Sequence, residues 1–157
     1  MLAIGAPSPA SYLRLVPSHW AGVFACWGLE TRETALRLVT GNAGLEATAA
    51  NLEVKCVDLA ANPYLLLGGL IAAALDGLAA KRPLPDPIEG DPVHLPDASR
   101  LPTTVDDAAA ALAADETLRA ALGDMLADAV LAVRRAEADR VRDLSPEDVV
   151  SAFRWVF

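Results

Sequence analysis

The chain has 157 residues, a formal net charge of −8 at pH 7 and a hydrophobic share of 54%, much of it alanine, which favours helices. This length suits one domain that buries a sizeable core. A general nucleic-acid-binding surface needs clustered excess lysine and arginine, so the charge excludes that class and we expect no nucleic-acid partner.

The first third of the chain is predicted to form antiparallel strands. Residues 23–27 and 35–39 are rich in the bulky residues that pleated surfaces accept, and a polar turn lies between them. Residues 40–50 are small, polar and glycine-bearing, which is typical of a loop. A third strand is predicted at residues 51–57, where apolar and polar side chains alternate. The two cysteines, Cys26 and Cys56, give no disulfide framework and suit a reducing compartment.

A long helix is predicted from Pro63 to about Lys81, with Asn62 as its cap. Its composition predicts burial on nearly all sides. The apolar run at residues 64–75 is shorter than the roughly 20 residues of a bilayer span, so we expect no membrane partner. Residues 83–102 are rich in proline, which predicts a surface segment without helix.

The second half is predicted to be helical. Thr104 with Asp107 resembles a capping box and opens a helix to about residue 114. A further helix spans about 116–143 with a break near Gly123, and Ser145 begins the last segment, which ends at 155–157. Strands followed by helices indicate the α+β class. The start of the chain lacks the basic and apolar stretches of a secretory signal, so we expect a cytoplasmic protein.

The strand at residues 51–57 carries the most suggestive polar residues. Glu53 and Lys55 share one of its faces. This pattern fits either a solvated face or the lining of a site, where Glu53 binds a divalent cation and Lys55 an anionic substrate. Arg14, Arg32 and Arg37 precede the strand, and guanidinium groups near one carboxylate suit phosphate and carboxylate oxygens.

Three ordered motifs resemble the glutamine synthetase family. They are SYLRLVP at residues 11–17, WGLETRETALR at 27–37 and LEVKCVDLAANPY at 52–64. The likeness extends over nearly the whole chain, including the helical tail. It implies a fragment of the family's catalytic domain, with residues 1–157 forming its C-terminal portion.

The resemblance implies a role for each matched residue. Glu53 falls on a glutamate that binds one of the active-site divalent metals, Mg²⁺ or Mn²⁺. Arg14 falls on an arginine that contacts the amino-acid substrate, and Arg32 and Arg37 on arginines that bind ATP phosphates and stabilise the transferring phosphoryl group. Lys55 stands where many members have an arginine that binds phosphate or substrate carboxylate.

The implied activity is ATP-dependent ligation of glutamate to an amine through an acyl phosphate. The family's other metal ligands and its N-terminal β-grasp domain lie upstream of this segment, so we expect the segment alone to be inactive. We expect the full-length protein to be a homo-oligomer. The alternative, from another class, is a non-catalytic module that binds a nucleotide or a partner.

The segment after the first motif departs from the family pattern. Members that use ammonia carry a flap glutamate that accepts a proton from ammonium. Here Trp20 takes that place, and tryptophan offers an apolar wall instead of a base. The substitution favours an organic amine, as in the branch that ligates glutamate to polyamines. Two alternatives remain, namely that Trp20 only packs the flap, and that the enzyme uses ammonia with an altered flap.

Overall fold

A computed structural model describes residues 1–156 and confirms the α+β class. Its strands are β1 (Phe24–Leu29), β2 (Thr34–Val39) and β3 (Asn51–Val54). The helices are α1 (Leu2–Gly5), α2 (Ser11–Arg14), α3 (Glu46–Ala49), α4 (Pro63–Ala79), α5 (Val105–Ala114), α6 (Glu116–Leu122), α7 (Asp124–Val141) and α8 (Pro146–Phe153). The sequence did not predict α1, α2 or α3, each only four residues long. Phe157, predicted to end the last segment, lies outside the described residues.

The chain forms two compact units. The helical unit comprises residues 1–13, 57–84 and 102–157, and the strand unit comprises residues 14–56 and 85–101. All three strands belong to the strand unit, as do the six residues that the sequence selected as candidate site residues. The chemistry proposed for this chain therefore lies in the strand unit.

The strand unit is built on a sheet with the order β1-β2-β3. β2 and β3 pair antiparallel, as predicted, but β1 and β2 pair parallel, so that part of the prediction is wrong. The connection at residues 30–33 returns the chain to the start of β2. It passes so close to β1 that a side chain at position 28 would collide with Thr31, and glycine occupies that position.

The two faces of the sheet differ in character. Leu36 and Leu38 of β2 pair with Val54 and Leu52 of β3, which puts apolar side chains on one face. On the opposite face, Arg37 of β2 pairs with Glu53 of β3. Strand alternation thus brings one basic and one acidic residue together on the polar face.

The proline-rich segment covers the outer edge of β1. The N–H of Ala25 donates to the carbonyl of Ser99 at 2.8 Å, and the N–H of Ile88 donates to the carbonyl of Trp27 at 2.9 Å. The sequence predicted a segment without helix, and one short stretch differs. Pro92–His94 forms a 3-10 turn capped by the Asp91 carboxylate. Proline at the first position of that turn loses no hydrogen bond, which explains the exception.

Side-chain caps set the boundaries in the helical unit. The Thr104 hydroxyl accepts the N–H of Asp107 at 3.1 Å, and the Ser145 hydroxyl accepts the N–H of Asp148 at 3.2 Å, so both predicted helix starts are confirmed. The predicted break falls at Gly123, whose φ of 74° ends α6 and precedes α7. Helix α5 packs on α7, α4 packs on α6, and α1 contacts all of α4, α5 and α7.

Helix α4 is not buried on all sides, so that prediction is wrong. Gly69 is buried, but large apolar side chains spaced three or four residues apart on one face are exposed. They are those of Leu67, Ile71, Leu75 and Leu78. The apolar composition indicated burial, yet one face of the helix has no cover within residues 1–156. No helix in this part of the chain combines the length and the hydropathy of a bilayer span.

The cap of α4 gives a test of the helical unit. The Asn62 side-chain oxygen accepts the N–H groups of Tyr64 at 3.0 Å and Leu65 at 3.2 Å. Asn62→Ala removes this acceptor, and we expect a loss of about 1 kcal/mol in unfolding free energy. Urea denaturation and hydrogen exchange of those two amides measure the effect. Asn62→Asp keeps an acceptor and should behave like the native chain, whereas equal protection in the alanine variant would contradict the capping role.

Candidate active-site residues

Arg37 is the centre of the polar face of the sheet. Its Nη1 lies 3.1 Å from Oε2 of Glu53, its direct partner across the strands, and its Nη2 lies 3.1 Å from Oε2 of Glu30. The Arg37 side chain is 16% exposed, whereas that of Glu30 is 44% exposed and that of Glu53 is 42% exposed. A mostly buried guanidinium is therefore held between two carboxylates that solvent reaches.

Glu30 has a second set of partners in the next turn. Its Oε1 accepts the Thr40 N–H at 2.8 Å and the Thr40 hydroxyl at 3.0 Å. These bonds and the neighbouring Arg37 charge hold the pKa of the Glu30 carboxyl below its ordinary value. In the sequence, Glu30 belongs only to the polar turn between the first two predicted strands. The ion pair of Glu30 with Arg37 depends on the parallel arrangement of β1 and β2, which no sequence pattern indicated.

The loop that carries Trp20, residues 17–20, is held by a buried glutamate. Glu33 accepts the Ser18 N–H on Oε2 at 3.1 Å and the Trp20 N–H on Oε1 at 2.9 Å. Ser18 and Trp20 have φ values of 60° and 56°, left-handed conformations that cost about 1 kcal/mol or more each outside glycine. Both strained residues thus donate their backbone N–H groups to one carboxylate. The burial of Glu33 could not be predicted from the sequence, because a glutamate ahead of a strand gives no sign of burial.

Trp20 itself projects from this loop. Its side chain is 67% exposed, and the Arg32 guanidinium carbon lies 5.8 Å from the centroid of its ring. That distance is within the range of cation–π contacts. The role of Trp20 in the flap remains a prediction.

The predicted site residues form two pairs in the structure, Arg37 with Glu53 and Arg32 with Trp20. No ion pair within residues 1–156 joins Arg32 to Glu53. Lys55 is half-buried just beyond β3, and its backbone N–H donates to the carbonyl of Ala35 at 2.9 Å. Arg14 ends α2 and is exposed. Convergence of all these groups on one cavity remains a prediction.

A divalent metal site is incomplete in the part of the chain that the structure describes. Groups of three or more histidine, cysteine, aspartate or glutamate side chains in metal-binding arrangement are absent from residues 1–156. Magnesium and manganese prefer several oxygen ligands. Glu53 engages Arg37 through Oε2, which leaves Oε1 available for one further bond. Within residues 1–156, the site therefore lacks the several oxygen ligands that either ion prefers.

Comparison with known proteins decides the family. Residues 1–150 match the glutamine synthetase catalytic domain. The chain belongs to the glutamine synthetase family. It is 57% identical to gamma-glutamylpolyamine synthetase GlnA3 of Streptomyces coelicolor over 100% of this chain and 35% of that protein. It is 30% identical to a glutamine synthetase of Thermococcus kodakarensis over 95% of this chain and 34% of the relative.

Solved structures of the glutamine synthetase family show the same fold. A crystal structure of a glutamine synthase homolog superimposes with a TM-score of 0.81 at 32% identity, covering 99% of this chain and 35% of the homolog. A complex of GmaS with ADP superimposes with a TM-score of 0.75 at 31% identity, covering 91% of this chain and 34% of the other. The chain spans about a third of the length of the curated relatives that it matches.

The lowered pKa of Glu30 gives a test of the polar face. A carboxyl whose pKa is lower in the folded state stabilises the fold above its unfolded pKa, and this contribution is lost as pH falls through the folded value. We therefore expect unfolding free energy to fall more steeply with acid in the native chain than in Glu30→Gln. Urea denaturation from neutral pH to about pH 3 measures both slopes.

Glu89→Gln serves as the control because Glu89 is an exposed glutamate of the same unit. It should keep the native slope. Equal acid sensitivity in the native chain and in Glu30→Gln would show that the Thr40 and Arg37 contacts do not stabilise the ionised carboxylate.

Proposed function

We propose that this chain is part of an ATP-dependent ligase that joins the γ-carboxylate of glutamate to an organic amine. The substrate carboxylate attacks the γ-phosphorus of ATP, ADP leaves and an acyl phosphate forms. The amine nitrogen then attacks the acyl carbon and displaces phosphate. Both steps move negative charge, which fixed cationic groups stabilise. We place the complete enzyme in the cytoplasm as a homo-oligomer.

The exposed indole of Trp20 carries the choice of an organic amine over ammonia. A tryptophan cannot accept a proton from ammonium, but its ring can contact the methylene groups of an alkylamine and attract its charge. Arg32 is associated with the ring, yet the side chain remains 67% exposed and can accept a second contact. The name of the 57% identical relative, a gamma-glutamylpolyamine synthetase, supports the same substrate class.

The other predicted residues take the following roles in this proposal. Arg32 binds the ATP phosphates, and Arg14 and Lys55 hold the carboxylate of glutamate. Lysine keeps the charge but lacks the bidentate fork of arginine. Glu53 contributes one oxygen to a divalent metal, Mg²⁺ or Mn²⁺, whose remaining ligands lie outside this chain. That metal would neutralise phosphate charge in the complete enzyme.

Arg37 has a more constrained role than the sequence implied. Both of its terminal nitrogens bind glutamates, and its Nε is buried without a hydrogen-bond partner. A phosphate that reaches Arg37 must compete with those carboxylates or approach over them. We therefore propose that Arg37 acts on the transferring phosphoryl group while it also fixes the position of Glu53.

Substitution of Trp20 tests the choice of amine. In an enzyme that joins this segment to the rest of the subunit, Trp20→Glu supplies a base for ammonium and removes the wall for an alkyl chain. We expect the ratio of kcat/KM for ammonium over that for a polyamine to rise by at least about tenfold. Trp20→Phe keeps an apolar wall and should keep the native preference. An unchanged ratio in Trp20→Glu would refute the role of Trp20 in the choice of amine, and ammonium as the preferred native substrate would refute an organic amine as substrate.

The 157-residue chain alone should not turn over ATP. Its metal ligands are incomplete within residues 1–156, so neither phosphate positioning nor charge neutralisation is complete. Isothermal titration with Mg-ATP, followed by a phosphate assay with glutamate and amine, measures this. Phosphate release would contradict the proposal. Tight binding without phosphate release would instead favour a nucleotide-binding module.

A further inference from the structure

The buried carboxylate of Glu33 has no part in the chemistry described above. It is 7% exposed, and its two oxygens accept the N–H groups of Ser18 and Trp20. Each oxygen serves one donor, so the carboxylate bridges two residues of the same short loop. Both donors belong to residues with positive φ, a conformation that persists only where surrounding contacts impose it.

Consecutive residues hold this loop in two different ways. Arg32 contacts the ring of Trp20 at 5.8 Å, whereas the neighbouring Glu33 binds the Trp20 backbone at 2.9 Å. Arg32 is exposed and Glu33 is buried. The dipeptide therefore fixes the ring through one side chain and the main chain through the other. Because β2 begins at the next residue, the sheet provides a rigid base for both contacts.

We propose that Glu33 is a positioning residue for amine selection: it holds the 17–20 loop so that Trp20 is presented to the amine substrate. This inference rests on the proposed function, in which Trp20 contacts the amine. Glu33 does not touch the substrate itself. It acts by fixing the backbone from which the indole projects.

Glu33→Gln and Glu33→Ala should produce a graded loss of this constraint. A glutamine of the same shape offers one acceptor oxygen, while its NH₂ faces the second backbone donor, so one of the two bonds is lost. Alanine loses both. Freed of these bonds, Ser18 and Trp20 should return to ordinary negative φ values, which redirects the indole.

Fluorine NMR on the chain labelled with fluorotryptophan reports on the conformation of the 17–20 loop through the chemical shift of Trp20, without any enzyme assay. The chain has three tryptophans, and a Trp20→Phe sample assigns the relevant resonance. We expect the Trp20 resonance to shift toward the position of the free amino acid, partly in Glu33→Gln and fully in Glu33→Ala, while the others stay in place. If Glu33→Ala unfolds, all three resonances move together. The Trp20 resonance of Glu33→Gln then decides whether Glu33 constrains the loop.

Glu46→Ala is the matched control. Glu46, the first residue of α3 in the same unit, also accepts a backbone N–H, that of Gly44 at 3.0 Å. Its removal should leave the Trp20 resonance unchanged. An unshifted Trp20 resonance in both Glu33 variants would overturn the proposed constraint.

Kinetics of the complete enzyme test the link to amine selection. We expect KM for the amine to rise on the order of tenfold in Glu33→Ala and less in Glu33→Gln, with KM for ATP nearly constant. A shifted resonance with an unchanged amine KM would overturn the selection role. If the native enzyme prefers ammonium, the proposed function fails and the amine-selection role fails with it, while the NMR result still decides whether Glu33 holds the loop.

Discussion

The polar face of the strand unit depends on Arg37, a mostly buried guanidinium between two carboxylates. Antiparallel pairing of β2 with β3 places Glu53 beside it, and the unusual return from β1 places Glu30 on its other side. Because Glu53 is 42% exposed, its pair with Arg37 stabilises the fold by about 1 kcal/mol or less, as solvent-exposed ion pairs do. Its importance is therefore geometric. It sets the direction of the Glu53 carboxylate while one oxygen remains available.

A second constraint acts on the loop that carries Trp20. Left-handed backbone at a serine and a tryptophan is unfavourable without local support, and Glu33 provides that support through two hydrogen bonds. An exposed aromatic side chain on a fixed backbone makes a defined surface, whereas the same side chain on a mobile loop samples many orientations. The specificity that we propose for this enzyme thus depends on a residue that the substrate never contacts.

Local signals in the sequence predicted the structure well. The caps at Asn62, Thr104 and Ser145 and the break at Gly123 follow from interactions within a few residues, and all four are confirmed. The family motifs also gave the correct fold class. The pairing of Arg37 in β2 with Glu53 in β3 was not among these predictions, because it depends on the register of the two strands.

Features that depend on distant partners were not predictable. The apolar composition of α4 indicated burial, but composition does not reveal whether a neighbouring element covers a given face. The parallel direction of β1 depends on the path of a four-residue connection, and a connection this short normally indicates an antiparallel pair. Glu33 looked like an ordinary turn residue, since its role follows from strained backbone fifteen and thirteen residues away.

The division of the chain into two interleaved units has a consequence for biosynthesis. The polypeptide passes from one unit to the other four times, at residues 13/14, 56/57, 84/85 and 101/102. Ribosomes deliver residues from the N terminus, so the strand unit has all of its segments once residue 101 has emerged. The helical unit must wait for α5 to α8, although α1 precedes the strands in the chain. The sheet can therefore form while α1 still lacks α5 and α7 and α4 still lacks α6, and chaperones would meet an exposed α4 during that interval.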